Sequence, residues 1–266
     1  MKRSLRRKRV STDIKVFHAN DSALYFEGKG KRILVDGIYG GDIRNGGTVR
    51  DLGMSNMPRE YFRMMIRGSG ILSDPDILLF THDHADHFNR DMTSEYMSSH
   101  RRTRIFLPED GISDIMPVRK DDRYWEANEE GLRIGILSAD HLDLTKDKSM
   151  YSGVVSRSYI LDFRGRRFMV SGDSVLDESL LRVMEKNDAG SIDCIFVNVI
   201  HLLIREHIDF LKALRPGRVV LYHLPEPEDD TAGYLRLADR AAERYSRQMP
   251  PLIRAEHMAW LTEALK

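Results

Sequence analysis

The chain has 266 residues and carries 41 Lys plus Arg against 41 Asp plus Glu, so no net field recruits nucleic acid or an acidic membrane surface. A hydrophobic fraction of 41% beside 31% charged residues excludes the composition of a disordered chain, and the length suffices to bury a substantial core. The single cysteine, Cys194 in the apolar run CIFVNVI, excludes an internal disulfide and reads as a buried thiol in a reducing cytoplasm.

Residues 1–11 read as a basic, flexible terminus. Lys2, Arg3, Arg6, Arg7, Lys8 and Arg9 could meet phosphates, although a solvated terminus is the plainer reading. The segment lacks the apolar stretch of a secretory signal, and no apolar run approaches the ~20 residues of a membrane span. The expectation is a cytoplasmic protein without a membrane partner, its residues 12–266 forming one domain.

DIKVFHA, SALYFE and KRILVDG, separated by the turn residues ND and GKG, predict three consecutive antiparallel strands. Residues from about 38 to 74 then break the pattern with a glycine-rich polar stretch and a short helical piece, REYFRMMIRG. Such a long insertion between strands predicts a lid-like loop, with Met54, Met57, Met64 and Met65 as its packing residues. Arg59, Arg63 and Arg67 recur every four residues there and share a face that could meet an anionic substrate or simply be solvated. Arg157, on a later strand, is a further cation of this kind.

PDILLF predicts a buried strand leading into THDHADH, followed by a helix from Asn89 to Ser99 and the strand RIFL. LRIGILSA, RSYILDF and RRFMVSG predict three more strands, the last two forming a hairpin around RGR. Strands and helices then alternate: helix Leu176–Lys186, strand CIFVNVI, helix Ile204–Leu214, strand RVVLYH, helix Thr231–Met249, strand PLIRAEH and a helix-like terminal stretch. EPEDD reads as a solvent loop with helix N-terminal charge. This order describes two sheets covered by helices, an α/β or α+β layering.

Three of the ten histidines lie within THDHADH. His82 and His84, one residue apart, project to the same side of an extended stretch, while Asp86 and His87 fall where the chain turns into a helix and face a second point nearby. Two adjacent metal positions follow, and imidazole with carboxylate suits Zn²⁺, Fe or Mn²⁺. A polar helix-start loop, in which Asp and His satisfy backbone donors, is the alternative for a lone histidine. Three histidines with a carboxylate at this spacing favour metal.

THDHADH resembles the His-x-His-x-Asp-His signature of the metallo-β-lactamase-fold metal-dependent hydrolases, and the resemblance extends over nearly the whole chain. ILVDG supplies Asp36 at the family's outer aspartate, SADH supplies His141, FMVSGDS supplies Asp173 and VVLYHLP supplies His223. The resemblance implies a four-layer αββα sandwich. It implies one divalent ion held by His82, His84 and His141, another by Asp86, His87 and His223, and the Asp173 carboxylate bridging them. Taken singly, His141 and His223 would read as structural histidines and Gly-Asp as turn chemistry; their order and strand-end placement carry the implication. Asp36 and Thr81 are expected to orient the imidazoles. His100, His207 and His257 read as surface or packing residues, and His18 and His201 as packing or pocket lining.

Two divalent ions, zinc first with manganese or iron as alternatives, would activate a bridging hydroxide, with Asp86 and Asp173 as the catalytic carboxylates. The expected reaction is hydrolysis of a small metabolite, anionic or neutral: a lactone, ester or phosphoester. The chain lacks the inserted β-CASP module and the exosite arm of nucleic-acid-cleaving relatives, and FNRD follows the motif where glyoxalase-II-like thioesterases have a glycine pair. Its layout is most similar to the L-ascorbate-6-phosphate lactonase-like group. The alternatives are a phosphodiesterase of nucleic acid, suggested only by the basic terminus, a non-hydrolytic metal or ligand-binding protein, and redox use of iron at the same site. Oligomeric state is not legible.

Overall fold

A computed structural model describes residues 14–41, 49–107, 113–115, 117–142, 153–261 and 265. The basic N-terminal segment and residues 42–48 of the expected lid lie outside the described residues. The opening strands are β1 (Lys15–His18), β2 (Leu24–Gly28) and β3 (Lys31–Val35), paired antiparallel as expected. After helix α1 (Arg59–Ile66) come β4 (Ile77–Leu79), α2 (Arg90–Ser99) and β5 (Arg104–Phe106). Two short strands that carry little apolar patterning, β6 (Val118–Asp121) and β7 (Tyr124–Glu129), precede β8 (Leu132–Asp140), β9 (Val155–Asp162) and β10 (Arg167–Val170). The last third alternates α3 (Glu178–Lys186), β11 (Cys194–Asn198), α4 (Arg205–Leu214), β12 (Arg218–Tyr222), α5 (Tyr234–Tyr245) and β13 (Leu252–Arg254), and ends with β14 (Ala259–Trp260).

In the terminal stretch Ala259 and Trp260 depart from the helical expectation, pairing with His18 and Phe17 of β1 and closing the edge of a sheet, while the Leu265 N–H donates to the Leu261 carbonyl and residues 262–264 and 266 lie outside the described residues. Helix α5 is shorter than expected at both ends. Gly233 has φ +78°, and the Asp230 carboxylate accepts the Tyr234 and Leu235 N–H groups, so the helix starts at Tyr234. Asn89 and Asp177 cap α2 and α3, each side chain accepting the N–H three residues on, of Met92 and Leu180.

The strands form a six-stranded sheet in the order β14-β1-β2-β3-β4-β5 and an eight-stranded sheet in the order β13-β12-β11-β10-β9-β8-β7-β6. Side-chain alternation decides the layers. Ile33 and Val35 of β3, with Ile77 and Leu79 of β4, face Phe168, Val170, Phe196, Val220 and Tyr222 of the other sheet. Leu34 and Leu78, one residue out of phase, pack outward with Phe62 and Met65 of α1 and Tyr96 of α2. On the far side Ile195, Val197, Val219 and Leu221 pack on Leu180 of α3, Phe210 of α4 and Tyr245 of α5. Helix, sheet, sheet and helix layers follow, the αββα sandwich the resemblance implied.

Residues of the segment expected as a lid contribute to this packing. Met54, Met57 and Met65 are buried and only Met64 is exposed, whereas Arg59, Arg63 and Arg67 are all exposed. Cys194 is buried between the sheets as expected. No helix among the described residues is long and apolar enough to cross a membrane.

Candidate metal centre

Strand direction gathers the polar residues at one end of both sheets. β3 runs parallel to β4, and β10, β11 and β12 run parallel to one another, so Asp36, the Thr81–His87 segment, Asp173, Asn198 and His223 all leave from carboxyl ends. β8 runs antiparallel to β9, which runs antiparallel to β10, and His141 therefore leaves from the same end, pairing with Ser174 through an isolated bridge. All seven residues singled out in the sequence converge there. Their donor atoms form three overlapping groups, His82, His84 and His141; His82, His87 and Asp173; and Asp86, His87 and His223, each within 4.8 Å.

The chain fixes the imidazole tautomers from behind. His141 Nδ1 lies 2.5 Å from the Leu142 carbonyl oxygen, which can only accept, so Nδ1 carries the proton. His87 Nδ1 lies 2.9 Å from Asp36 Oδ2 and His223 Nδ1 lies 2.5 Å from Asp21 Oδ1, with the same consequence. The Thr81 hydroxyl donates to Asp36 Oδ2 at 2.8 Å, leaving its lone pairs to accept from His82 Nδ1 at 3.0 Å. Four Nε2 atoms are thereby presented as acceptors to one space. His82 Nε2 is 3.2 Å from His141 Nε2 and 3.0 Å from His84 Nδ1, and His87 Nε2 is 2.9 Å from His223 Nε2. Ring nitrogens facing one another at these distances call for a proton or a metal ion between them.

Asp36 and Thr81 take the places expected of them. Asp36, with φ +49° and fully buried, accepts the Thr81 N–H on Oδ1 at 2.8 Å while Oδ2 serves Thr81 and His87. Asp21 escaped sequence reasoning. It sits in the turn between β1 and β2 with φ +46°, accepts the Ser55 N–H on Oδ2 at 3.1 Å, and holds His223 through Oδ1. The ND dipeptide signalled only a turn. His18, left open between packing and pocket, is fully buried, its ring lying between the carbonyls of Asp21 and Glu256 at 2.8 and 3.0 Å, one of which accepts its single N–H. His201 is likewise internal, its Nδ1 2.9 Å from Nδ1 of His207. His207 is the packing residue expected.

Electrostatics divides the centre in two. Burial pushes His82 well below the usual histidine range, lowers His141 and takes His84 to about 4, so these three imidazoles are neutral acceptors. Burial also opposes charge on His87 and His223, but here it is outweighed. Asp36 and Asp86 hold His87 well above its ordinary value, and Asp21 and Asp173 raise His223 to about 8. Asp173 resists its own burial because His223 and His87 favour its charged form, and it lies well below the carboxylate range. The carboxylate-rich half thus gathers positive charge, as protons when no metal ion is bound. Asp86 and Asp173 are 7% and 8% exposed, so both carboxylates are largely screened from solvent.

A family model described as the beta-lactamase superfamily domain matches residues 32–224, which span Asp36, the histidine cluster and His223. The chain belongs to the beta-lactamase superfamily. No curated protein matches it. Among solved structures, this superfamily member is similar to the isothiocyanate hydrolase from Delia radicum gut bacteria, with 13% identity, 92% and 98% of the two chains covered and a TM-score of 0.62. It is similar to Igni18, a metallo hydrolase from Ignicoccus hospitalis, with 16% identity, 93% and 97% covered and a TM-score of 0.56. It is also similar to CmlA, a diiron β-hydroxylase from Streptomyces venezuelae, with 13% identity and a TM-score of 0.54, covering 94% of this chain and 54% of CmlA. Identities this low establish a shared fold.

Proposed function

We propose that this superfamily member is a metal-dependent hydrolase with a dinuclear centre. His82, His84 and His141 would hold one divalent ion, Asp86, His87 and His223 the other, and Asp173 both. The observation that carries the reading is the set of four Nε2 acceptors aimed at one space, each with its proton fixed on the far nitrogen by Thr81, Asp36, Leu142 or Asp21. Position supports the bridging assignment: Asp173 Oδ2 lies 3.5, 3.7 and 3.9 Å from Nε2 of His87, His141 and His223. Zinc suits the donor set, as do manganese and iron.

Two divalent ions bound there would supply an activated water near neutral pH and polarise the oxygen of the bond to be cleaved. The chain supplies orientation around them. Asp36, Thr81 and Asp21 lock the rings, so little reorganisation accompanies turnover. Asp86, with Oδ2 3.6 Å from His223 Nε2, is placed both to bind and to take up a proton released in the reaction. The substrate class is a small lactone, ester or phosphoester, and the layout favours the lactonase-like branch. Arg157 is the cation on the strand beside the histidine loop: its backbone N–H donates to the Thr81 carbonyl, and its guanidinium lies over the Phe106 ring at 5.9 Å from the centroid.

The nucleic-acid alternative has no support among the described residues. A diiron oxidative role keeps one argument, since CmlA carries a diiron centre on the same fold. Elemental analysis of protein purified without chelators, followed by a screen of esters, lactones and phosphodiesters, tests the proposal. Two equivalents of transition metal with hydrolytic turnover are expected. Protein that binds no stoichiometric transition metal overturns it, and two irons without turnover on the panel would favour the oxidative reading.

A further inference from the structure

Asp173 has two carboxylate oxygens in different surroundings. Oδ2 faces the three imidazoles, whereas Oδ1 accepts a hydrogen bond at 3.2 Å from Nδ2 of Asn198, a residue 1% exposed at the end of β11. The Asn198 amide cannot be turned round, because its Oδ1 accepts the Ile200 N–H at 3.1 Å and so caps the 3₁₀ turn Val199–Leu203. With the oxygen committed to that cap, the NH₂ group must face the carboxylate.

We infer that Asn198 is a positioning residue for the Asp173 carboxylate: by holding Oδ1 it keeps Oδ2 turned towards the imidazoles, as the oxygen that would be offered to the metal ions. The inference rests on the dinuclear reading above and adds to it a residue. Geometry supports it in two ways. Asp173 follows Gly172, whose φ of +54° aims the next residue inward, and β10 pairs with β11 in parallel, bringing Asn198 alongside. Without the amide, a carboxylate on this turn could rotate about its last torsion and give one oxygen to each ion, or both to one. The shared ion pair would then be looser and its affinity lower, since loss of such an outer hydrogen bond costs about 10–100-fold in metal binding.

The cap complicates the test, because removing Asn198 could act only through the 3₁₀ turn. Asn198→Ser separates the roles. A serine oxygen caps nearly as well as asparagine but is too short to reach Asp173. Asn198→Ala removes both. Chelator-treated wild type, Asn198→Ser and Asn198→Ala are titrated with Mn²⁺ by calorimetry, and the loaded forms are compared by electron paramagnetic resonance for coupling between the two ions. We expect wild type to bind two ions with a coupled spectrum. Asn198→Ser should keep the melting temperature of metal-free wild type, lose about 10–100-fold in affinity for the second ion and show altered coupling. Asn198→Ser with wild-type affinities and coupling overturns the inference alone, as does a loss seen only in Asn198→Ala. Wild type that binds fewer than two Mn²⁺ ions overturns the dinuclear reading itself.

Discussion

His223 and Asp21 are 202 residues apart in sequence, yet Nδ1 of the one lies 2.5 Å from Oδ1 of the other, both fully buried. The pair is held twice, for the His223 N–H also donates to the Asp21 carbonyl at 3.0 Å. Asp21 in turn is tied to the segment between β3 and α1 through the Ser55 N–H. One turn of the first sheet therefore sets the tautomer and the aim of a histidine on the second.

From this pairing, Asp21→Ala should lower affinity for the cation at His223 by about 10–100-fold, while Asp21→Asn, whose amide oxygen still accepts from Nδ1, should lose less. Metal titration of the two variants checks the order. Equal losses would mean that Asp21 acts by charge alone.

Asp173→Ala removes the only carboxylate that faces both halves of the centre among the described residues. Metal content should fall towards one ion or none, and hydrolysis should be abolished. A variant that keeps two ions and full activity would remove Asp173 from the bridging position.

Gly172 has no room for a side chain. Its φ is +54°, and a Cβ there would lie 2.8 Å from Cβ and Cγ2 of Thr81. Gly172→Ala should destabilise the protein by roughly 1–2 kcal/mol from the left-handed backbone alone, with the clash added. Since Thr81 holds His82 and Asp36, metal affinity should fall along with the urea midpoint. Wild-type behaviour on both measures would contradict the close approach.

His201 and His207 give the pH prediction. Burial takes them to about 3 and about 4, so both are neutral in the folded protein near neutrality while the unfolded chain protonates at the usual 6.5. Below that value the unfolded state binds more protons, and stability falls as pH drops until the folded-state values are reached. Each would cost roughly 2 kcal/mol by about pH 5. In metal-free protein, melting temperatures of wild type and a His201→Gln, His207→Gln double variant, measured between about pH 7 and pH 5, should converge as the pH falls. A constant difference across the range would mean that the pair does not titrate in this way.

What was legible in the sequence was local. The spacing of His82, His84, Asp86 and His87 after an apolar strand places four donors by chain geometry alone, and Asn89 announces the helix that follows. Strand alternation likewise contains the layers, because one phase of each strand had to meet the other sheet and the next phase a helix. His141, Asp173 and His223 were legible only through family resemblance, since a histidine or a Gly-Asp pair at a strand end has many ordinary uses.

The tertiary structure alone decided which residues stand behind the donors. Asp21 in an ND turn, Asn198 in an apolar strand and the His201–His207 pair carry no periodic signal, because a hydrogen bond across many residues leaves no spacing to read. The terminal strand was hidden for the same reason: apolar residues that could lie on a helix were claimed by the open edge of β1. Sequence determines the chemistry on offer at each position; only the closure of two sheets decides which lone pairs face each other.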